Sequence, residues 1–221
     1  MVFLMDRFGY AKTVDVSVYE RNKEAADTEN RYILTCKNTD KICIFTNKGQ
    51  MHLLKVLDLP YGKFRDKGIP IDNLSNYNSS EENFIYIINL GAIIHSRLLF
   101  GTKTAMLKMV DGSEFDVAKR TTASTKLNED DELLIVHAMT GEETVVMQSE
   151  KEMFLRIEAS TIPEKKKGAV GVRGMKLNAG DALSNIYVLD GENEQTVEVK
   201  GKEVVLNRLR VGNRDTKGTK R

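Results

Sequence analysis

Apolar residues in this chain come in short runs rather than at helical spacing. Runs at residues 2–5, 32–36, 42–45, 51–57, 69–74, 84–90, 133–137, 144–147, 186–189 and 204–209 are rich in Val, Ile, Leu and Phe. Runs of this length and composition predict β-strands. Turn clusters such as 73–80 and 190–194 separate them. Only residues 20–29, ERNKEAADTE, have helical propensity, and they predict a short turn of helix or a mobile loop.

The strands recur as a unit. TNKGQMHLLKVLDLPYGKFRDKGIPIDNL, residues 46–74, holds a turn at Asn47-Lys48-Gly49, a strand ended by Pro60, a basic glycine-bearing segment and a last apolar run. Gly9, Thr104, Lys151 and Gly201 align with Gly49, although the turns at Thr104 and Lys151 lack glycine. The second half recurs as KKKGAVGVRG (165–174) and RDTKGT (214–219), and in degraded form as Lys119-Arg120-Thr121-Thr122. Pro60 and Pro163 fall at matching points, just after the second strand of their units. A period of roughly 40–50 residues built from short strands is the signature of propeller blades, which must stack to bury both faces of each sheet. The expectation is an all-β, propeller-like single domain over residues 1–221. Its five units lie roughly at 1–40, 41–95, 96–142, 143–192 and 193–221.

Composition narrows the function. With 33 Lys and Arg against 32 Asp and Glu the net charge is +1, so bulk charge gives no argument for a polyanionic partner. No apolar stretch approaches the ~20 residues of a membrane helix. The opening residues 1–5 are too short for a signal peptide, and the expectation is a cytosolic chain. Cys36 and Cys43 cannot form a zinc site alone and read as small core or edge residues.

No catalytic constellation stands out. His52, His95 and His137 lack ligands at metal-binding spacing. There is no phosphate-cradling glycine loop and no Gly-x-Ser-x-Gly elbow. Asp130-Asp131 and Glu142-Glu143 read as solvated turns. The chain does not read as an enzyme in itself, and it calls for neither metal nor cofactor.

The basic part of each repeat remains. Arg7 and Lys12, Lys48, Lys103 and Lys108, and Lys151 and Arg156 surround the hairpin turns. The loops that follow add Lys63, Arg65 and Lys67, then Lys119 and Arg120, then Lys165, Lys166, Lys167 and Arg173, then Arg208, Arg210, Arg214 and Lys217. Acids concentrate elsewhere, at 24–29, 81–82, 129–132 and 192–194. If every repeat turns its basic loop to one rim, a neutral protein acquires a positive belt suited to a bent duplex held by its phosphates. Lysine and arginine that merely solvate strand edges would give the same sequence.

At these residues the chain resembles the C-terminal domain of the A subunit of bacterial type IIA topoisomerases, DNA gyrase and topoisomerase IV. The matching pieces are FTNKGQMHLLKVLDLP with KGIPI, FGTKTAMLKMVDGSEFD, and MQSEKEMFLRIEASTIPEKKKGAVGVRGMKLNAGD. The resemblance implies a β-pinwheel whose rim binds and bends double-stranded DNA. The B subunit, with the remainder of the A subunit, would be its partner in a nucleoid-associated enzyme. The catalytic tyrosine, and the ATP and magnesium of the holoenzyme, would lie outside this chain. The Gln-Arg-Arg-Gly-Gly-Lys-Gly box of gyrase A subunits has no counterpart here, where residues 19–27 read YERNKEAAD. That departure points to a topoisomerase IV-like or divergent gyrase-like protein. The competing reading is a propeller-type scaffold that binds another protein.

Overall fold

A computed structural model describes residues 1–221. It contains four four-stranded sheets, each completed by a strand from the following repeat. The first sheet holds β1 (Val2–Asp6), β2 (Tyr10–Val14) and β3 (Asn30–Thr35), and the second holds β4 (Lys41–Thr46) and β5 (Gln50–Lys55). β6 (Ile69–Pro70) leaves the second repeat to pair with β2. β7 (Phe84–Asn89) joins β4. The third sheet holds β8 (Arg97–Thr102), β9 (Met106–Asp111) and β11 (Leu133–Met139), and its repeat sends β10 (Thr121–Ala123) back to β5. The fourth holds β12 (Thr144–Ser149), β13 (Met153–Glu158) and β16 (Leu183–Leu189) and sends β14 (Val172–Arg173) to β9. β15 (Met175–Lys176) runs parallel to β19 (Thr216–Lys217). A fifth hairpin, β17 (Thr196–Val199) with β18 (Lys202–Val205), is two-stranded, and β20 (Thr219–Lys220) completes the fourth sheet.

The hairpin turns explain which residues the repeat tolerates. Gly9 and Gly49 take positive φ, and where glycine is missing Ala105 (φ 64°) and Glu152 (φ 63°) do so instead. The positive-φ residue is thus one position beyond the aligned Thr104 and Lys151. A left-handed conformation costs an L-residue about 1–2 kcal/mol, offset here by the ladder it allows.

Continuous apolar runs follow from burial on both sides. In β4, Ile42 and Ile44 pack with Phe3, Met5 and Leu54 against the first sheet. The alternate residues Cys43 and Phe45 pack with Leu98, Phe100 and Phe115 against the third. β12 repeats the pattern, with Val145 and Met147 facing Leu99 and Leu107, and Val146 facing Val199 and Leu206. Each such fully buried side chain contributes about 1.5–3 kcal/mol, so adjacent sheets cannot part cheaply.

The two ends of the stack differ. The free face of the first sheet, Val2, Leu4 and Val14, is covered by Ala26, Val18 and Tyr19. These lie on α1 (Val16–Arg21), capped by Asp15, and α2 (Lys23–Glu29). The stretch expected as a helical turn or mobile loop is therefore a cap. The fifth hairpin instead turns exposed Thr196, Glu198 and Glu203 outward.

Three segments end as strands earlier than their apolar runs suggest. Residues 71–73, 56–58 and 206–208 are 3-10 turns that tuck Ile71, Val56 and Leu206 into the core. The run at 84–90 yields Leu90 to α3 (Leu90–Ile93), whose cap Asn89 accepts from the Gly91 amide at 2.9 Å.

Candidate nucleic-acid interface

Between neighbouring sheets the strands β3, β7, β11 and β16 approach one another in succession. That puts them on the inner side and puts β6, β10, β14 and β20 at the opposite, outer edges. The loops leading into the outer strands are the basic segments. Backbone ties fix their entry: the Thr13 amide donates to Pro60 O at 2.8 Å, the Met109 amide to Pro163 O at 3.0 Å, and the Gly212 amide to Arg156 O at 2.8 Å. The two prolines do occupy one structural position.

Glycine sets the register of each crossing. A Cβ at Gly68 would sit 2.6 Å from Ala11 O, one at Gly171 2.6 Å from Leu107 O, and one at Gly218 2.8 Å from Phe154 O. At these points the donated strand lies too close to β2, β9 or β13 for any side chain. The partner of Gly68 is thus Gly171; Gly168, which follows the lysines in sequence, has nothing within 4 Å.

The sequence-selected cations fall into three groups. Those at the hairpin turns lie at the turn ends of the sheets and are mostly engaged. Lys48 and Lys103 converge on Glu132 at 3.0 and 2.7 Å. The Lys103 and Lys48 contacts hold the Glu132 carboxyl down to about 2. Lys151 donates to Ala179 O at 2.8 Å. Exposed Arg7 lies 4.7 Å over the Phe8 ring.

A second group points into the protein. Lys108 is 1% exposed, and its ammonium donates to Lys166 O, Lys167 O and Ala169 O at 3.1, 2.8 and 2.7 Å. Burial lowers its pKa to about 8, with Glu114 opposing and Lys165 adding to the shift. Lys12 donates to Phe64 O and, at 2.8 Å, to Asp66 O. Arg156 donates to Asn207 O, to Leu209 O at 3.2 Å and to Thr144 Oγ1 at 2.9 Å. Expected as surface contacts, these three side chains bind backbone instead, because each lies where the next repeat crosses over it.

The third group lies on the outer loops. Lys63, Arg65 and Lys67 are exposed, with Lys67 4.4 Å over the Tyr10 ring. Lys119 and Arg120 are exposed, with Arg120 4.0 Å from Asp58. Lys165 is half-buried, and Lys166 is exposed at 3.5 Å from Glu114. Lys167 binds the same residue through its amide and its ammonium. Arg173 forks onto Asp215, whose carboxyl it holds low. Arg208 pairs with Glu194 at 3.3 Å. Arg214 donates to Thr161 O and Arg173 O at 3.3 and 2.9 Å. Arg210 and Lys217 are exposed.

His52 occupies the position of Lys12 and Lys108 in the second sheet, a role its sequence context concealed. Its ring nitrogens bind Thr121 Oγ1 at 2.9 Å and Glu82 Oε1 at 2.7 Å. His137 lies against Tyr86, and burial lowers its pKa. Both cysteines are buried thiols, Cys43 pushed up to about 12 by burial.

Residues 96–138 and 143–190 match the family model described as DNA gyrase C-terminal domain, beta-propeller. The chain resembles the C-terminal domain of the larger DNA-cleaving component, the A chain, of a type IIA topoisomerase. All of it aligns, at 29% identity over 238 residues, with 26% of the DNA gyrase A protein of Staphylococcus epidermidis. It aligns at 27% identity with 29% of that of Lawsonia intracellularis, so it spans about a quarter of the length of these curated relatives. The fold of this C-terminal-domain family is shared throughout. A topoisomerase IV C-terminal domain superposes with a TM-score of 0.86 at 21% identity, over 99% of this chain and 71% of that one. The E. coli ParC C-terminal domain gives 0.77 at 15% identity, over 100% and 93%. A gyrase A C-terminal domain gives 0.64 at 18% identity, over 99% and 75%.

Proposed function

We propose that this domain holds and bends duplex DNA along its outer edges, as a non-catalytic part of a type IIA topoisomerase. One observation carries the reading. The loops on successive outer edges each keep cations without an acidic partner: Lys63 and Arg65, Lys119, Lys165, and then Arg210 and Lys217. Ion pairing instead absorbs Lys48 and Lys103 at the turns. A row of phosphate contacts of this kind has no means of reading bases, so affinity should fall steeply with salt and vary little with sequence. The rest of the enzyme is the expected protein partner, and ATP and magnesium belong to it.

The absence of a glycine- and arginine-rich box separates this domain from wrapping gyrases. Residues 19–27 lie largely in α1 and α2, packed on the first sheet, and bring Glu20, Glu24 and Asp27 to the surface. Acids on a packed helix repel phosphate and supply no flexible basic latch. Holoenzyme carrying this domain should relax or decatenate DNA better than it introduces negative supercoils; efficient negative supercoiling refutes that assignment.

The DNA reading is tested by changing Lys165, Lys166 and Lys167 together to Glu and measuring binding to unrelated duplexes of increasing length at two salt concentrations. Uniform weakening and a shallower salt dependence are expected. Unchanged affinity takes this loop off the DNA path.

A further inference from the structure

The cations that matter most for the interface include two that never touch it. Lys12 and Lys108 sit three residues past the positive-φ residue of their hairpins, Gly9 and Ala105, and each faces the glycine where the next repeat crosses, Gly68 or Gly171. Each side chain ends among the carbonyls of the adjoining cationic loop. Lys12 takes Phe64 O and Asp66 O; Lys108 takes Lys166 O, Lys167 O and Ala169 O. Both also lie near an aromatic ring, Phe64 at 5.2 Å and Phe100 at 5.6 Å. Sheets with unrelated neighbours have arrived at one arrangement.

Carbonyls drawn toward an ammonium turn the opposite side of the loop outward. In the 164–171 loop that outward side includes Lys166, whose side chain is 87% exposed. A loop of small residues and lysines has little apolar surface to order it, and its lysines repel one another. The buried ammonium and Glu114, which binds the amide and the ammonium of Lys167, are what hold it together.

We propose that Lys12 and Lys108 are positioning residues that hold the outer cationic loops of the next repeat in the form that meets DNA, without contacting phosphate themselves. The inference rests on the DNA reading above and adds that the loops are preorganised rather than flexible. Preorganisation removes the ordering cost that a floppy basic segment meets on binding.

The test is backbone amide exchange on the full chain combined with a binding cycle. In Lys108→Met, amides of residues 164–171 should exchange at least about tenfold faster, because a local opening has become easier, while 61–68 stay unchanged. DNA affinity should fall roughly tenfold, and the loss should largely vanish when Lys165, Lys166 and Lys167 already carry Glu, since the anchor acts through them. Unaltered exchange overturns the proposal. So does a loss that adds fully to that of the loop changes and lowers the salt slope by the ~0.9 of a single phosphate contact. If Lys108→Met fails to fold, the less buried Lys12→Met decides in the same way on residues 61–68. Should the loop changes leave DNA binding intact, the DNA reading of that loop falls, while amide exchange still judges the anchor.

Discussion

The crossings onto the first and third sheets differ from the crossing onto the second. The former pair a lysine with a glycine, Lys12 with Gly68 and Lys108 with Gly171. The latter pairs His52 with Thr121, and the two bond directly at 2.9 Å. Lysine reaches past the strand to collect carbonyls of a loop bearing three cations. Histidine stops at the strand and turns its other nitrogen to buried Glu82, leaving a loop with only Lys119 and Arg120. Two solutions thus secure strand exchange: one organises a cationic loop from beneath, and the other seals the crossing with side chains alone. The degraded repeat in the sequence is a changed pair of contacts rather than a lost one.

That contrast can be broken at the crossings. Gly171→Ala drives a Cβ into backbone at 2.6 Å and should cost about 2–3 kcal/mol of unfolding free energy, read by denaturant titration. Gly168→Ala, in open space, should stay within about 0.5 kcal/mol. Equal effects would mean that the crossing glycine has been misplaced. His52→Leu should cost about 2 kcal/mol by stranding the buried Glu82 carboxyl, and Glu82→Gln, which keeps a partner for the ring, should cost less. A smaller effect is expected at the turn ends. Glu132→Gln removes the acceptor shared by Lys48 and Lys103 and should cost about 1 kcal/mol or less, shrinking in high salt.

Acid titration sharpens the same point. Glu132 is held to about 2 by Lys103 and Lys48. At Glu143 burial pushes upward, but the amides of Thr140 and Gly141 and the Thr140 hydroxyl outweigh it, leaving about 2. Both carboxyls bind protons less tightly folded than unfolded. Their stabilisation is therefore complete above about pH 4.5 and is lost as pH falls toward 2. The acid unfolding midpoint of Glu132→Gln should respond less to that window than the parent does, as followed by circular dichroism.

Much of this was legible from residues alone. Runs such as 42–45 and 144–147 are apolar at nearly every position because both faces of their sheets are covered, and they mark strands without ambiguity. The turns at Gly9 and Gly49 carried their own glycine signal, whereas Ala105 and Glu152 adopt the same conformation with no local reason to do so. The α1–α2 cap was only half legible, since its apolar contacts Val18, Tyr19 and Ala26 are sparse among charges. The cations were legible as a set but not by role. Lysine looks the same in sequence whether its ammonium meets solvent, as in Lys63, or three carbonyls, as in Lys108.

The sequence by itself determined the repeat, its strands and the supply of positive charge, because periodic burial and turn geometry act over a few residues. Tertiary structure alone decided which glycine marks each crossing and which cations face outward. Those outcomes depend on pairing between segments far apart in the chain, such as Lys12 with Asp66, separated by 54 positions. No local preference encodes how closely two such backbones pass, nor which side chain is caught between them.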